Sequence, residues 1–152
     1  MSDSSRSRDA LADRQAVLAA VDAFYAALQA LDLKAMGEVW ARREQDICVH
    51  PGWEILEGWP LIRESWRAIF ANTGFMRAYA SEVRVELIGD LARATNVENL
   101  MTVAGAQTAH SQIAATNLFL RTEQGWRMIL HHGSPMALRH SVEEVDPDEP
   151  AH

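Results

Sequence analysis

Apolar side chains in the first half of the chain recur every three or four residues, a spacing that places them on one face of an α-helix. This pattern predicts a helix over residues 9–31 with Asp9 as its N-cap, a helix over residues 33–41 capped by Asp32, and a third helix that begins at Pro60. The positions expected to be buried in these helices are Leu11, Val17, Leu18, Val21, Phe24, Tyr25, Leu28, Leu31, Met36, Val39, Trp40, Leu61, Ile62, Ser65, Trp66, Ile69 and Phe70.

The second half of the chain alternates between apolar and polar residues with a period of two, which is typical of β-strands. Residues 106–135 predict two long strands joined by a tight turn, in which Gly125 can take a positive φ. Further strands are predicted at residues 76–88 and 91–103, and a short one at residues 46–50. If side chains alternate strictly along both strands, one face of this hairpin carries large apolar side chains together with polar groups. The members of this face are Ser111, Ile113, Ala115, Asn117 and Phe119 on the first strand and Trp126, Met128, Leu130 and His132 on the second.

Helices that precede an antiparallel meander predict an α+β fold. We expect three N-terminal helices packed on a strongly curved antiparallel sheet, a cone-shaped half barrel with a cavity on its concave side. The convex side would expose apolar area, so we also expect a homodimer through that face. Residues 9–136 would form this single domain, between a disordered arm at residues 1–8 and an acidic, flexible tail at residues 137–152.

Charge and composition narrow the classes of partner. The formal net charge of −7 over 152 residues argues against binding nucleic acid or an anionic membrane, because both are bound through clustered Lys and Arg. The single cysteine, Cys48, cannot form an internal disulfide and fits a reducing compartment. The first ten residues are polar, unlike a secretory signal, and no apolar run is long enough to span a membrane. We therefore expect a cytoplasmic protein.

Two stretches, HPGWEILEGWPLIRESWRAIF at residues 50–70 and ATNLFLRTEQGWRMILHHGSP at residues 115–135, occur within this helix-then-sheet order. Together they resemble the SnoaL-like branch of the nuclear transport factor 2-like superfamily, to which ketosteroid isomerase is related. The resemblance covers residues 10–135 and implies the cone-shaped fold with a pocket. It implies no single function, because this fold hosts isomerases, cyclases, dehydratases, import carriers and assembly domains.

The resemblance to ketosteroid isomerase also implies where a site would lie. The general base of that enzyme, an aspartate at the end of the first strand, corresponds to His50. Its protonated aspartate, an oxyanion donor, corresponds to Asn117. Its first-helix tyrosine corresponds to Phe24 or Tyr25, and the sequence leaves this choice open.

The residue types at these positions suit proton transfer. An imidazole such as that of His50 has an ordinary pKa of about 6.5 and can exchange a proton at neutral pH. The amide of Asn117 can donate a hydrogen bond to a carbonyl or a developing oxyanion, with His132 assisting from the same face. Each residue also has a structural alternative: His50 could close the strand end, and Asn117 could satisfy a buried backbone group. His131 and His132 point to opposite faces of a straight strand, so we expect no metal site, and the chemistry requires no cofactor.

The second long strand offers Glu98 and Asn99, of which only one can face the cavity. The resemblance favours Asn99 and places Glu98 on the convex side. Aromatic residues would shape the rest of the pocket, because indoles contact flat apolar ligands well. The remaining residues expected to contact ligand are Tyr25, Trp40, Trp53, Trp59 and Trp66.

Two functional hypotheses follow. In the first, the protein binds a small apolar or carbonyl-containing ligand, a ring compound, and catalyses proton transfer next to the carbonyl, as an isomerase, cyclase or dehydratase does. In the second, it is a non-catalytic binding or assembly module that uses the fold for dimerisation. An open space between His50, Asn117 and Trp66 would favour the first hypothesis, and a space filled by side chains would favour the second.

Overall fold

The structure of the protein, a computed structural model, describes residues 3–137. The elements in chain order are α1 (Asp3–Ala30), α2 (Leu33–Val39), β1 (Ile47–Val49), β2 (Leu56–Glu57), α3 (Trp59–Ala71), β3 (Phe75–Ile88), β4 (Leu91–Ala104), β5 (Gln107–Thr122) and β6 (Gly125–Pro135). This order confirms the predicted α+β class with three helices. The acidic tail predicted at residues 137–152 lies, from residue 138 onward, outside the described residues.

The first helix begins earlier than predicted. Residues 3–8 are already helical, so the prediction of a disordered arm is wrong there. No proline or glycine interrupts the chain before Gly37, and the helix can therefore propagate in both directions from its buried part. It ends before Leu31, whose φ of 52° is left-handed. Asp32 caps the second helix as predicted, accepting a hydrogen bond of 3.0 Å from the backbone nitrogen of Ala35. Within residues 3–137, no helix combines the length and the apolar character needed to cross a membrane.

Most of the helical positions predicted to be buried do form the core. Leu11 and Leu61 are exceptions, since 56% and 58% of their surfaces are exposed. Both fall off the apolar stripe of their helix, because successive residues turn about 100° around the axis. Leu61 directly precedes the fully buried Ile62, for example, and so points well away from it. The helical members of the core are Val17, Val21, Phe24, Tyr25, Ala27, Leu28, Met36, Val39, Ile62, Trp66 and Phe70.

The sheet has six strands in the order β2-β1-β6-β5-β4-β3. The four long strands are antiparallel neighbours, as predicted. The short β1, however, runs parallel to β6, so the sheet is mixed rather than wholly antiparallel. That pairing places the end of β1 beside His131 and His132 of β6. We call the face covered by the helices the inner face and the opposite one the outer face.

A β-bulge in the last hairpin changes which side chains face inward. Leu118 pairs with Leu130 and Phe119 pairs with Met128, which leaves Ile129 as an extra residue in β6. Such an insertion shifts the alternation of side chains by one position beyond it. Met128 is therefore buried on the inner face, and the next residue to face inward is three positions further along the strand rather than two.

Candidate functional site

Polar side chains are buried together on the inner face of the sheet, under α1. Asn96 and Glu98 come from β4, Asn117 comes from β5, and His131 comes from β6, where it pairs with Asn117. Tyr25 of α1 reaches down to them from the helix layer. None of the five is more than 5% exposed. We call Tyr25, Asn96, Glu98, Asn117 and His131 the polar cluster.

Four hydrogen bonds and one longer contact join the polar cluster into a closed ring. Nδ1 of His131 lies 2.6 Å from Oδ1 of Asn117, whose Nδ2 donates to Oδ1 of Asn96 at 3.3 Å. Nδ2 of Asn96 donates to the hydroxyl of Tyr25 at 2.8 Å, and that hydroxyl donates to Oε1 of Glu98 at 2.8 Å. The ring closes where this oxygen lies 3.5 Å from Nε2 of His131. Because an amide oxygen can only accept, His131 donates from Nδ1 and turns the lone pair of Nε2 toward the carboxyl group.

Burial sets the protonation states of Glu98 and His131. It raises the pKa of Glu98 to about 7, although the hydrogen bond from Tyr25 acts in the opposite direction. Burial, together with repulsion from His50 and His132, lowers the pKa of His131 to about 3. Below neutral pH, then, both members are uncharged and the carboxyl group holds the proton. A carboxyl group that ionises near pH 7 is suited to accept and return protons in catalysis.

His50 adds a second titratable group beside the polar cluster. It follows β1, is 3% exposed, and its Nε2 lies 2.8 Å from the hydroxyl of Ser65 on α3. The single hydroxyl proton of Ser65 is donated to the carbonyl oxygen of Ile62 at 2.6 Å, so Nε2 of His50 must be the donor to Ser65. The lone pair therefore lies on Nδ1, which is 3.9 Å from the sulfur of Cys48. Burial lowers the pKa of His50 to about 4.

The loops around β1 hold His50 in place. The buried carboxylate of Asp46 accepts hydrogen bonds from the backbone nitrogens of Arg42 and Arg43, at 2.9 and 3.1 Å, and pairs with Nε of Arg43 at 2.8 Å. This fixes the chain just before β1. After β1, Pro51 packs so closely on Gly133 that a Cβ there would lie 3.2 Å from Cγ of Pro51. Glycine at this position thus permits the contact that presses the strand end onto β6.

Aromatic rings occupy the space between His50 and the polar cluster. The ring centre of Trp66 lies 4.6 Å from that of His50, 5.7 Å from that of Phe24 and 6.1 Å from that of His131. Phe24 in turn lies 4.7 Å from His131. Side chains therefore fill the region between His50, Asn117 and Trp66, which is the arrangement expected of the assembly hypothesis. Two clefts of about 480 and 490 Å³ lie elsewhere, one along β3, β4 and β5 and one between α1 and α2.

Two buried indole nitrogens lack a hydrogen-bond partner among the described residues. They are Nε1 of Trp40 and Nε1 of Trp66. Both side chains are almost wholly buried, at 1% and 3% exposure. An unsatisfied buried donor costs about 1–3 kcal/mol, so each requires a specific explanation.

The structure brings several of the predicted site residues together. His50, Asn117, Trp66 and Tyr25 are all buried on the inner side. The choice between Phe24 and Tyr25 does not arise, because both rings are buried; Phe24 contacts Trp66 and Tyr25 contacts Glu98.

Two predicted site residues face away from the polar cluster. The prediction that His132 points inward is wrong: His132 is exposed and His131 takes the inner position, because the bulge at Ile129 shifts the alternation. The prediction that Asn99 faces the pocket is also wrong. Asn99 lies on the outer face, where it donates to Ser81 at 2.9 Å and accepts from Gln112 at 3.0 Å, and Glu98 points inward instead.

The predicted tryptophans divide into two groups. Trp53, 46% exposed, lies over His50 with ring centres 4.8 Å apart, and so belongs to the same group as Trp66. Trp40 and Trp59 contact each other, with ring centres 6.1 Å apart, at the join of α2 and α3. This second group packs the helix layer, since Trp59 also covers Gly37.

Sequence reasoning missed Asn96, Glu98 and His131. A local signal for the first two was present: Arg93 stands between two alanines in β4, and a charged side chain next to a core strand faces solvent. Alternation from Arg93 places Asn96 and Glu98 on the inner face. No comparable signal marks His131, because the bulge that turns it inward is invisible in the pattern. Within residues 3–137, no three His, Cys, Asp or Glu side chains are grouped as a metal site would require.

Comparison with known proteins agrees with this architecture. Residues 17–138 match the SnoaL-like domain family. The structure of a candidate dehydratase of the NTF2-like family from Streptomyces avermitilis is similar with a TM-score of 0.78 and 30% sequence identity, over 82% of this chain and 97% of that one. The structure of a candidate calcium/calmodulin-dependent protein kinase type II association domain from Thiobacillus denitrificans is similar with a TM-score of 0.67 and 37% identity, over 78% and 94% of the two chains.

A curated relative, the F-box protein SKIP8 of Arabidopsis thaliana, is 24% identical over 127 residues, which are 84% of this chain and 52% of that protein. The chain therefore spans about half the length of this relative. The matched domain covers most of the described residues. The chain belongs to the SnoaL-like family of the NTF2-like superfamily.

Proposed function

We propose that the protein binds a small, apolar, carbonyl-containing ring compound on the inner face of its sheet and transfers a proton next to the carbonyl. The observation that carries the proposal is Glu98, a buried carboxyl group whose pKa of about 7 allows it to exist in both protonation states near neutral pH. A core built for stability alone is better served by apolar side chains, because buried ionisable groups are costly. The candidate dehydratase that is 30% identical to this chain supports the same class of chemistry.

In this proposal Glu98 is the acid–base group. Its carboxylate takes a proton from the carbon next to the carbonyl, which breaks a C–H bond and leaves an enolate. The same carboxyl group then returns the proton, either to another carbon in an isomerisation or to a departing β-hydroxyl in a dehydration. Tyr25, Asn117 and His131 orient the carboxyl group through the hydrogen bonds of the polar cluster. His50, with the lone pair of Nδ1 available, is a second proton acceptor.

Ligand binding, as well as entry, requires side chains to move, because aromatic rings fill the space beside the polar cluster. Trp53 is the simplest candidate: it is 46% exposed and covers His50, which is itself buried. Its neighbour Ile55 is 71% exposed, so the loop between β1 and β2 has few contacts to lose. Displacement of this loop would uncover His50 and the rings behind it. We therefore place the entrance at Trp53.

The test begins with a screen of small cyclic ketones and enones for compounds that raise the melting temperature, since a ligand that binds the folded state must stabilise it. Turnover of each binder is then followed with solvent deuterium, which is incorporated wherever a proton is exchanged. Glu98→Gln should abolish exchange while binding persists, and His50→Ala should reduce it. Exposed Glu44 provides the matched control as Glu44→Gln. Exchange that survives in Glu98→Gln would refute the proposal.

A second candidate function is assembly through the outer face of the sheet, as a homodimer. The described outer surface exposes large apolar side chains on neighbouring strands, with Phe75 51%, Tyr79 55% and Leu91 37% exposed. The structure that is 37% identical, a candidate association domain, supports this proposal. Tyr79→Glu should shift a dimer to monomer in sedimentation velocity measurements, and an unchanged sedimentation coefficient would exclude this face. The free thiol of Cys48 fits a cytoplasmic protein, which is the compartment we propose.

A further inference from the structure

The indole N–H of Trp66 has no hydrogen-bond partner among the described residues, although the side chain is only 3% exposed. Its ring is in contact with His50 and faces His131 of the polar cluster. A buried donor next to titratable groups is a place where a ligand with an acceptor atom gains a hydrogen bond without displacing an existing one. This distinguishes Trp66 from the donors of the polar cluster.

The nearby side chains that have a single proton to donate already have partners. The hydroxyl proton of Tyr25 is donated to Glu98, and the Nδ1 proton of His131 is donated to Asn117. The Nε2 proton of His50 is donated to Ser65. A carbonyl oxygen that took the proton of Tyr25, His131 or His50 would have to break one of these hydrogen bonds, whereas Nε1 of Trp66 has no such bond to break.

We infer that Nε1–H of Trp66 binds the oxygen of the ligand, and that the ligand class is a neutral molecule with a carbonyl oxygen and an apolar body. The apolar body would lie against the rings of Phe24 and Phe70, which both contact Trp66. The inference rests on the proposed function, since it names the donor that would hold the carbonyl beside Glu98. It extends that function by giving Trp66 a specific role, as the donor to the oxygen of the ligand.

The region itself favours a neutral ligand. Burial lowers the pKa of both His50 and His131, so neither offers a positive charge to an anion at neutral pH. Glu98, once ionised, would repel a carboxylate. A single neutral N–H donor among aromatic rings matches a ketone or enone better than an acid or a phosphate.

The experiment uses the five indole N–H signals of the ¹⁵N-labelled protein, with 2-cyclohexen-1-one as probe and cyclohexene as its counterpart without oxygen. Cyclohexenone should move the Trp66 signal downfield, as a new hydrogen bond does, and cyclohexene should not. Trp66→Phe should weaken cyclohexenone binding about tenfold, the effect of one hydrogen bond, and leave cyclohexene binding within about twofold. Trp40→Phe is the matched control, because it removes the other unpartnered indole N–H, which lies in the separate group with Trp59.

The outcomes separate the two proposals. If cyclohexenone binds and stabilises the protein while the Trp66 signal stays in place, the inference about Trp66 is wrong and the proposed function stands. If both probes move the Trp66 signal equally, the N–H is hydrated or packed and does not bind oxygen, which also overturns the inference. If neither cyclohexenone nor any ketone of the stability screen binds, both proposals fail.

Discussion

The hydroxyl of Tyr25 donates a hydrogen bond of 2.8 Å to Oε1 of Glu98, a residue 73 positions later in the chain. The bond connects α1 to the middle of β4 in a buried region. Asn96 donates to the same hydroxyl at 2.8 Å, so the proton of Tyr25 is directed to the carboxyl group. The helix layer thus takes part in the polar cluster as well as covering it, and the protonation of Glu98 depends on a contact between distant segments.

Removing this hydroxyl should change the protonation of Glu98. The hydrogen bond from Tyr25 favours the ionised carboxyl group and lowers its pKa. In Tyr25→Phe, the pKa of Glu98 should therefore rise above about 7, and the free energy of unfolding at pH 8 should fall by about 1–3 kcal/mol, because Asn96 loses its acceptor. Carbon-13 NMR of the carboxyl group measures the first effect and urea unfolding the second. The exposed Tyr79, as Tyr79→Phe, should leave both unchanged; an unaltered Glu98 titration in Tyr25→Phe would contradict the assignment.

Glu98 should make stability depend on pH in a definite direction. Its pKa is raised from 4.5 to about 7 on folding, so its contribution is full below pH 4.5 and is lost as the pH rises toward 7. The loss amounts to about 3 kcal/mol. Glu98→Gln cannot ionise, and it should gain that amount relative to the wild type between pH 4.5 and pH 8. Urea unfolding across this range provides the measurement, and a difference independent of pH would show that the carboxyl group is not perturbed.

The two buried histidines should hold opposite tautomers. Nε2 of His50 donates to Ser65 and Nδ1 of His131 donates to Asn117, so long-range ¹⁵N NMR should find the proton on Nε2 in the first and on Nδ1 in the second. Their pKa values are lowered to about 4 and about 3, so each favours folding above pH 6.5 and loses that contribution as the pH falls toward those values. Neither should protonate in the folded protein at pH 5.5. Ser65→Ala should release the tautomer of His50 and leave that of His131 intact.

Cys48 should report the opening of the entrance. Its side chain is fully buried and lies 3.7 Å from Nε2 of His50, and burial together with the charge of Glu98 raises the pKa of the thiol. A disulfide reagent should therefore react slowly, at a rate set by opening. Trp53→Ala should increase that rate about tenfold, because Trp53 covers His50. Ile55→Ala, at an exposed position of the same loop, is the control and should leave the rate of thiol modification unchanged. If both variants increase this rate equally, Trp53 has no special role in covering the entrance.

The succession of helices and long strands could be predicted from the sequence, because local periodicity and turn chemistry decide it. Asp32 caps α2, Gly125 turns the last hairpin with a φ of 98°, and apolar spacing locates the buried faces of α1 and α3. Resemblance placed His50 and Asn117 near each other, and both are buried on the inner side. The cap, the turn and the apolar spacing depend on residues close together in the chain, whereas the placement of His50 and Asn117 rests on the resemblance alone.

Tertiary structure decided which side chains meet. The extra residue at Ile129 turns His131, rather than His132, toward the inner face. The parallel pairing of β1 with β6 brings His50 to the same region. Neither is visible locally, because a bulge and a strand pairing are settled by hydrogen bonds between distant strands and by the packing of the helices above them. The chemistry of Glu98 has the same origin: its pKa is raised by burial, and burial is a property of the assembled fold rather than of the residues beside it in the chain.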